Sequence, residues 1–313
     1  MEAIPIDATE TFVAADVAGD IAAGPARPRR NWRGTAVPAA LVGIIVLAAF
    51  VGPWFVASPE AQNLRFGDLP PIGFGDSTVS HLLGTDAIGR DILARTVFGL
   101  RSSIETAALA LVVAAFFGVA VGLLAGYVGG WLDEIIMRIV DVQLAIPTIM
   151  LLLLVVSIVE PSFVTVVGTL ALLAWVVYVR TTRAEVLALK QQEMVTALVA
   201  LGIPTRRLLV RHMLPNIAGP LIVVTTIEFA SLITAGAALS YLGLGLPPPA
   251  PTLGGMIEEG QTGMTGGLWW PVVVPAVTLA LLILIIGILS DRLRGYLDPR
   301  SRRSRRPDRA VRP

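Results

Sequence analysis

Six apolar runs, each close to the length that crosses a lipid bilayer, constrain this chain more than anything else in it. They fall at roughly Val37–Val56, Ile104–Leu124, Ile135–Val159, Phe163–Val179, Ile217–Leu242 and Pro271–Leu289. A spanning helix needs about 20 mostly apolar residues. In lipid only helices and closed barrels pair all their backbone polar groups. The runs therefore predict an all-α polytopic membrane protein with six transmembrane helices. The third is polar at its start and clean only from Leu144, and the fourth is short. A chain with 55% hydrophobic and 15% charged residues is no ordinary soluble domain. It has no cysteine, which excludes disulfides and thiolate metal sites, and His81 and His212 are too far apart to found a histidine metal site.

The basic residues set an orientation. Arg27, Arg29, Arg30 and Arg33 precede the first run. Arg180, Arg183, Lys190, Arg206, Arg207 and Arg211 lie between the fourth and fifth, and nine arginines from Arg292 to Arg312 follow the sixth. The positive-inside rule places these, and both termini, in the cytoplasm. Arg65, Arg90, Arg95 and Arg101 are then external, and the segment Gly243–Gly267, which has no Lys or Arg, is an external loop. Acidic before it is basic, and carrying Pro25 and Pro28, the N-terminal stretch marks the first run as a retained anchor rather than a cleaved leader. Residues 1–33 and the tail 301–313 have the composition of disordered segments.

Several shorter stretches carry specific expectations. In HLLGTDAIGRDILARTVFGLRSS, Thr85 or Asp86 can cap a helix with Ile88, Ile92, Val97 and Leu100 near one face, which predicts an amphipathic helix at the outer interface. Arg138 and Asp141, at i and i+3, are expected to pair. The fifth run is rich in small and hydroxyl residues, and Glu228 lies about 18 Å into it at 1.5 Å per residue. An ionisable group there costs about 2.5–3.5 kcal/mol on insertion scales and should face a bundle interior or an aqueous cavity. Glu228, Ser231, Thr234, Ala235 and Ala238 are thus the candidate pathway residues. After this run, LSYLGLGLPPPAPTLGGMIEEG predicts an ordered loop that dips partly back, and Trp269 and Trp270 mark the outer interface of the sixth span.

The segment Gln191–Asn216 is polar, arginine-bearing and wedged between two apolar runs. Met194, Val195, Leu198 and Val199 recur at helical spacing and predict one apolar face. A Gly202-Ile203-Pro204 break follows, then a short basic helix ending at Leu214-Pro215. So long and amphipathic a connector reads as a docking surface for a soluble partner.

This loop resembles the EAA motif of ABC-importer permease subunits, a helix-Gly-helix ending in Leu-Pro. Four more stretches resemble the second permease of the dipeptide, oligopeptide and nickel importer family: GTDAIGRD at Gly84–Asp91, GYVGGWLDEIIMRIVDV at Gly126–Val142, LSYLGLGLPPPAPTLGGM at Leu239–Met256, and LRGYLDPR at Leu293–Arg300. The resemblance covers about residues 80–300. It implies a type I ABC importer permease fold: an N-terminal segment 1–33, a first helix and external segment 34–103, a five-helix core 104–300 with a cytoplasmic coupling loop 181–215, and a basic tail 301–313. It also implies a subunit of a bacterial inner-membrane importer without catalysis of its own. A second homologous permease, one or two ATPase subunits that bind ATP and magnesium, and an external substrate-binding protein would be its partners. No cofactor, metal or nucleic acid is expected on this chain itself. The coupling residues would be Glu193, Met194, Val195, Thr196, Ala197, Leu198, Gly202, Arg206, Arg207, Leu214 and Pro215, with Gly202 as hinge or point of close approach. The implied cargo is a di- or oligopeptide, with nickel chelates or other peptide-like solutes as alternatives and an ATP-independent channel or carrier as the different-class reading. Two departures stand out. Thr196, Ala197 and Leu198 replace the family's Glu-Ala-Ala, with Glu193 one turn earlier. Gly236 stands where an acid is common, and Glu228 is the nearest carboxylate.

Overall fold

The computed structural model describes residues 33–74 and 81–297. All but the last residue of the N-terminal segment 1–33, and the whole tail 301–313, lie outside the described residues. The described chain forms helices α1 (Arg33–Val51), α2 (Ile92–Val128), α3 (Gly130–Ala145), α4 (Thr148–Ile158), α5 (Phe163–Lys190), α6 (Glu193–Ala200), α7 (Thr205–Tyr241), α8 (Leu253–Met264) and α9 (Trp270–Leu297). Five of them are long and apolar enough to cross a membrane, and a sixth span results if the bent pair α3 and α4 is one crossing.

The second span is longer than its apolar run. No separate amphipathic helix precedes it: α2 is a single helix of 37 residues, about 55 Å long. Neither Thr85 nor Asp86 caps it. Asp91 does, its Oδ1 accepting from the Ala94 N–H at 2.8 Å. Nothing interrupts the helix afterwards, and the hydroxyls of Ser102, Ser103 and Thr106 donate back to carbonyls four residues earlier.

The third run breaks. Helices α3 and α4 meet at 95°, because Pro147 disfavours helical geometry at the residue before it, and Ile146 is extended at φ −88°, ψ 125°. Arg138 and Asp141 do not pair. The Asp141 carboxylate accepts from Arg180 instead, and Asp133 is gripped by both the Nε and an Nη of Arg183. Both pairs join α3 to α5, antiparallel to it. The fourth span, short by apolarity, runs 28 residues to Lys190. There the Lys190 ammonium donates to the Tyr127 carbonyl at 2.7 Å and so satisfies an unpaired acceptor at the end of α2.

The most extensive packing among the described helices is between α2 and α5. A Cβ added at Gly118 would lie 2.5 Å from the Tyr178 Cβ, at Gly122 2.7 Å from the Thr182 Cβ, and at Gly126 2.9 Å from the Val186 Cβ. Both series advance by four residues, so the two helices run parallel with their backbones nearly touching. This is the small-residue packing that takes the place of hydrophobic drive inside a membrane. Tyr178, Leu170 and Val186 are fully or almost fully buried at this seam. Helix α7 runs antiparallel to α5, with the Tyr178 hydroxyl 3.1 Å from Thr225 Oγ1.

The loop after α7 does not merely dip. Thr252 caps helix α8 through the Gly255 N–H at 3.1 Å, and α8 buries Leu253 and Met256 between its neighbours. Trp270 is a core residue and not an interface anchor: it is 6% exposed, and its indole N–H donates to the Thr85 carbonyl at 2.9 Å. The tryptophan pair is split, since Trp269 stays exposed.

Candidate functional site

The structure places three groupings along the bundle. The first is the hairpin of α6 and the start of α7. Gly202 follows α6 at φ +72°, a left-handed conformation open to glycine at little cost. The Gly202 N–H donates to the Val199 carbonyl at 2.9 Å and the Ile203 N–H to the Leu198 carbonyl at 3.3 Å. These two bonds close the helix as a Schellman motif. No atom lies within 4 Å of a Cβ built there, so backbone conformation, and not close approach, requires the glycine.

The four apolar residues of α6 do not form one face. Val195 is buried at 3% exposure and Leu198 packs beside it, whereas Met194 and Val199 are exposed. The bundle itself takes the Val195 and Leu198 side. What remains outward is Glu193, Met194, Thr196, Ala197, Val199, Ala200 and Leu201, joined by Arg206 and Arg207.

The second basic helix does not end at Leu214-Pro215. The chain continues from Thr205 to Tyr241 as one helix of 37 residues, with a wide π turn over Leu208–Met213. Pro215 explains the widening: it has no N–H to return to the carbonyl four residues back. The Leu214 N–H reaches five residues back to Leu209, and the Asn216 amide donates to the His212 carbonyl at 2.6 Å. Leu208, Met213 and Ile217 are fully buried along this passage.

The second grouping is a cavity of about 250 Å³ at the α3–α4 bend, lined among others by Gln143, Ile146, Thr148, Glu228, Ser231 and Ala235. Three of the five expected pathway residues meet here, at i, i+3 and i+7 on α7. Thr234 and Ala238 do not line it; both are exposed, and the Thr234 hydroxyl donates to the Ala230 carbonyl.

The third grouping escaped the reading of the sequence. At the opposite end of α2 from the hairpin, Asp86, Arg90, Arg95 and Glu259 form one ionic cluster. Arg95, 5% exposed in its side chain, bridges Asp86 Oδ2 and Glu259 Oε2, each at 2.8 Å. Arg90 contacts the same two oxygens, each at 2.6 Å. The cluster ties α8 to the loop that leads into α2, beside a cavity of about 540 Å³. Glu259 lies 164 residues from Arg95 and 169 from Arg90, so the i, i+4 spacing of Asp86 and Arg90 is local but no local pattern announces the link to α8. Burial pushes the Glu259 carboxyl up, but hydrogen bonds and charge from Arg95 and Arg90 outweigh this and hold it below the ordinary glutamate range. A carboxyl lowered on folding adds stability above its unfolded value and loses it as pH falls through the folded one. Melting temperature should therefore drop on acidification below the ordinary carboxylate range, and Glu259→Gln should flatten that acid limb while lowering the neutral value. Identical acid limbs in the two proteins would refute the assignment.

With a polytopic helical fold, a hairpin continuous with a spanning helix, and a cavity set within that helix, the chain has the parts of a solute permease. The sequence model for the inner membrane component of binding-protein-dependent transport systems matches residues 118–303, and the chain belongs to that family. Among its curated relatives is the dipeptide transport system permease protein DppC of Haemophilus influenzae, 37% identical over 270 residues, which cover 83% of this chain and 90% of the relative. The di/tripeptide transport system permease protein DppC of Pseudomonas aeruginosa is 36% identical over 258 residues, 82% of this chain and 85% of the relative. Among solved structures, a chain of the MetNI methionine ABC transporter in an inward-facing form aligns with a TM-score of 0.49 and 21% identity, over 66% of this chain and 96% of that one.

Proposed function

We propose that this chain is one of two homologous permease subunits of an ATP-driven peptide importer, with six spans and both termini in the cytoplasm. The α6 hairpin docks on an ATPase subunit, and the α7 cavity is part of the peptide's path. The observation that carries this reading is the continuity of α7: the outward Arg206 and Arg207 of the hairpin and the cavity residues Glu228, Ser231 and Ala235 stand on one unbroken helix, with α6 joined to its start through Gly202. ATP and magnesium belong to the ATPases, and an external binding protein delivers the cargo. The docking stripe is Met194, Ala197 and Leu201, flanked by Glu193, Thr196, Arg206 and Arg207. Val195, Leu198 and Leu214, turned toward the bundle, support it from behind. Closure of the ATPases on ATP moves the hairpin, and α7 carries the motion past the cavity, which is alternating access by rigid-body motion.

The test uses the absence of cysteine from the sequence. A single Thr196→Cys on the exposed side of α6, in the complex purified from native membranes, is expected to cross-link to an ATPase subunit through a short maleimide–diazirine reagent, whose maleimide takes the thiol and whose photogenerated carbene inserts into the neighbouring chain. Labelled dipeptide is expected to accumulate in vesicles of the same complex only with ATP. A normally assembled chain that cross-links to no ATPase would sink the docking assignment.

A further inference from the structure

The carboxylate at the middle of α7 is the one charged group of its cavity, and nothing described in the chain neutralises it. Glu228 sits at the midpoint of the α-helical stretch Leu214–Tyr241. No hydrogen bond or ion pair from the described residues reaches its carboxylate, and no Lys, Arg or His lines the cavity. The other polar groups differ in availability. Gln143 is committed at both ends: its Oε1 accepts from the Trp175 indole at 2.7 Å, and its Nε2 donates to the Leu172 carbonyl at 2.6 Å. Ser231, one turn beyond Glu228, shares the cavity with it, as does Thr148 at the start of α4. The remaining lining is apolar, including Leu144, Ile146, Leu151, Leu173 and Val177. An anion in such surroundings interacts strongly with any cation that arrives, because little water screens the pair.

We propose that Glu228 receives the free α-ammonium group of the peptide in transit, so that the α7 cavity selects cargo by its positive end. This rests on the peptide-importer reading above and adds the subsite. An ammonium has three donors, which the Glu228 carboxylate and the Ser231 hydroxyl can accept. At about 250 Å³ the cavity is smaller than the roughly 300–1,000 Å³ of a full small-molecule pocket. It takes one end of a peptide, and the rest lies toward the second permease. A cation borne by that second permease could satisfy the same carboxylate, and the experiment separates the two sources.

The complete transporter, with its partner permease, ATPases and binding protein, is reconstituted in vesicles. ATP-driven uptake is measured for Ala-Ala and for propionyl-alanine, which is Ala-Ala with its α-amino group replaced by hydrogen. The binding protein's own preference is common to every variant and cancels when rate ratios are compared. The ratio of Ala-Ala to propionyl-alanine uptake is expected to fall about tenfold or more in Glu228→Gln, the scale of one charge-assisted hydrogen bond, and to return in Glu228→Asp. An unchanged ratio overturns the proposal. So does an equal loss of both rates together with poorer recovery of the permease pair, which would assign the carboxylate's cation to the partner subunit. Wild-type vesicles that import neither compound would instead refute the peptide reading itself, and the subsite with it.

Discussion

Gly122→Leu is expected to leave the protein unable to hold its bundle together. The new side chain would begin 2.7 Å from both the Thr182 Cβ and the Val179 carbonyl oxygen, and a backbone atom cannot rotate away as a side-chain tip can. Helices α2 and α5 must separate along their whole parallel seam. Forcing extra carbons into well-packed cores costs about 1–3 kcal/mol where side chains can adjust, so a site where they cannot should reach or pass the top of that range. Gly118→Leu, 2.6 Å from the Trp175 carbonyl oxygen, should behave alike. Gly168→Ala on α5 meets nothing within 4 Å and should match or slightly exceed wild type, since alanine favours a helix by about 1 kcal/mol over glycine. Melting curves and size-exclusion profiles in mild detergent check all three. A Gly122→Leu protein that melts with wild type would refute the close approach.

The second large effect belongs to Arg95. Replacing it with methionine leaves two carboxylates, Asp86 and Glu259, sharing the single cation of Arg90, and removes the link from α8 to α2. Breaking a buried pair by deleting one partner typically costs about 3–5 kcal/mol. Glu259 is 43% exposed in its side chain, so water softens the penalty on that side and the lower part of the range is expected. The double change Arg95→Met with Glu259→Gln should recover part of the loss, because one unpaired charge disappears with the arginine. A double variant as unstable as the sum of the two singles would show that Arg95 and Glu259 are not coupled.

The sequence reading succeeded where the physics is local. Apolar runs located the five helices long enough to cross a membrane, because a bilayer imposes length and polarity on each helix separately. Failures came where distant residues decide. Which side of α6 turns outward depends on the bundle's claim on Val195 and Leu198, and periodicity alone cannot distinguish an inward apolar face from an outward one. Helix α8 is glycine-rich and polar, and it forms because the Thr252 cap and its packing against α7 and α9 outweigh its composition. The Arg95 cluster joins the start of α2 to α8, with Glu259 164 residues beyond Arg95, and neither segment identifies the other as its partner. Pro147 was visible throughout, and a proline inside an apolar run longer than one crossing was the available signal for the bend between α3 and α4.

The hydrogen bond from Tyr178 to Thr225 falls close to the centre of the 37-residue helix from Thr205 to Tyr241. A rod of that length has arms of about 27 Å on either side of its centre. If α7 pivots there by about 10°, each tip sweeps nearly 5 Å, while Glu228, about 4.5 Å along the axis from Thr225, shifts by less than about 1 Å. A fulcrum so placed lets the two ends trade large displacements while the carboxylate between them keeps nearly constant coordinates.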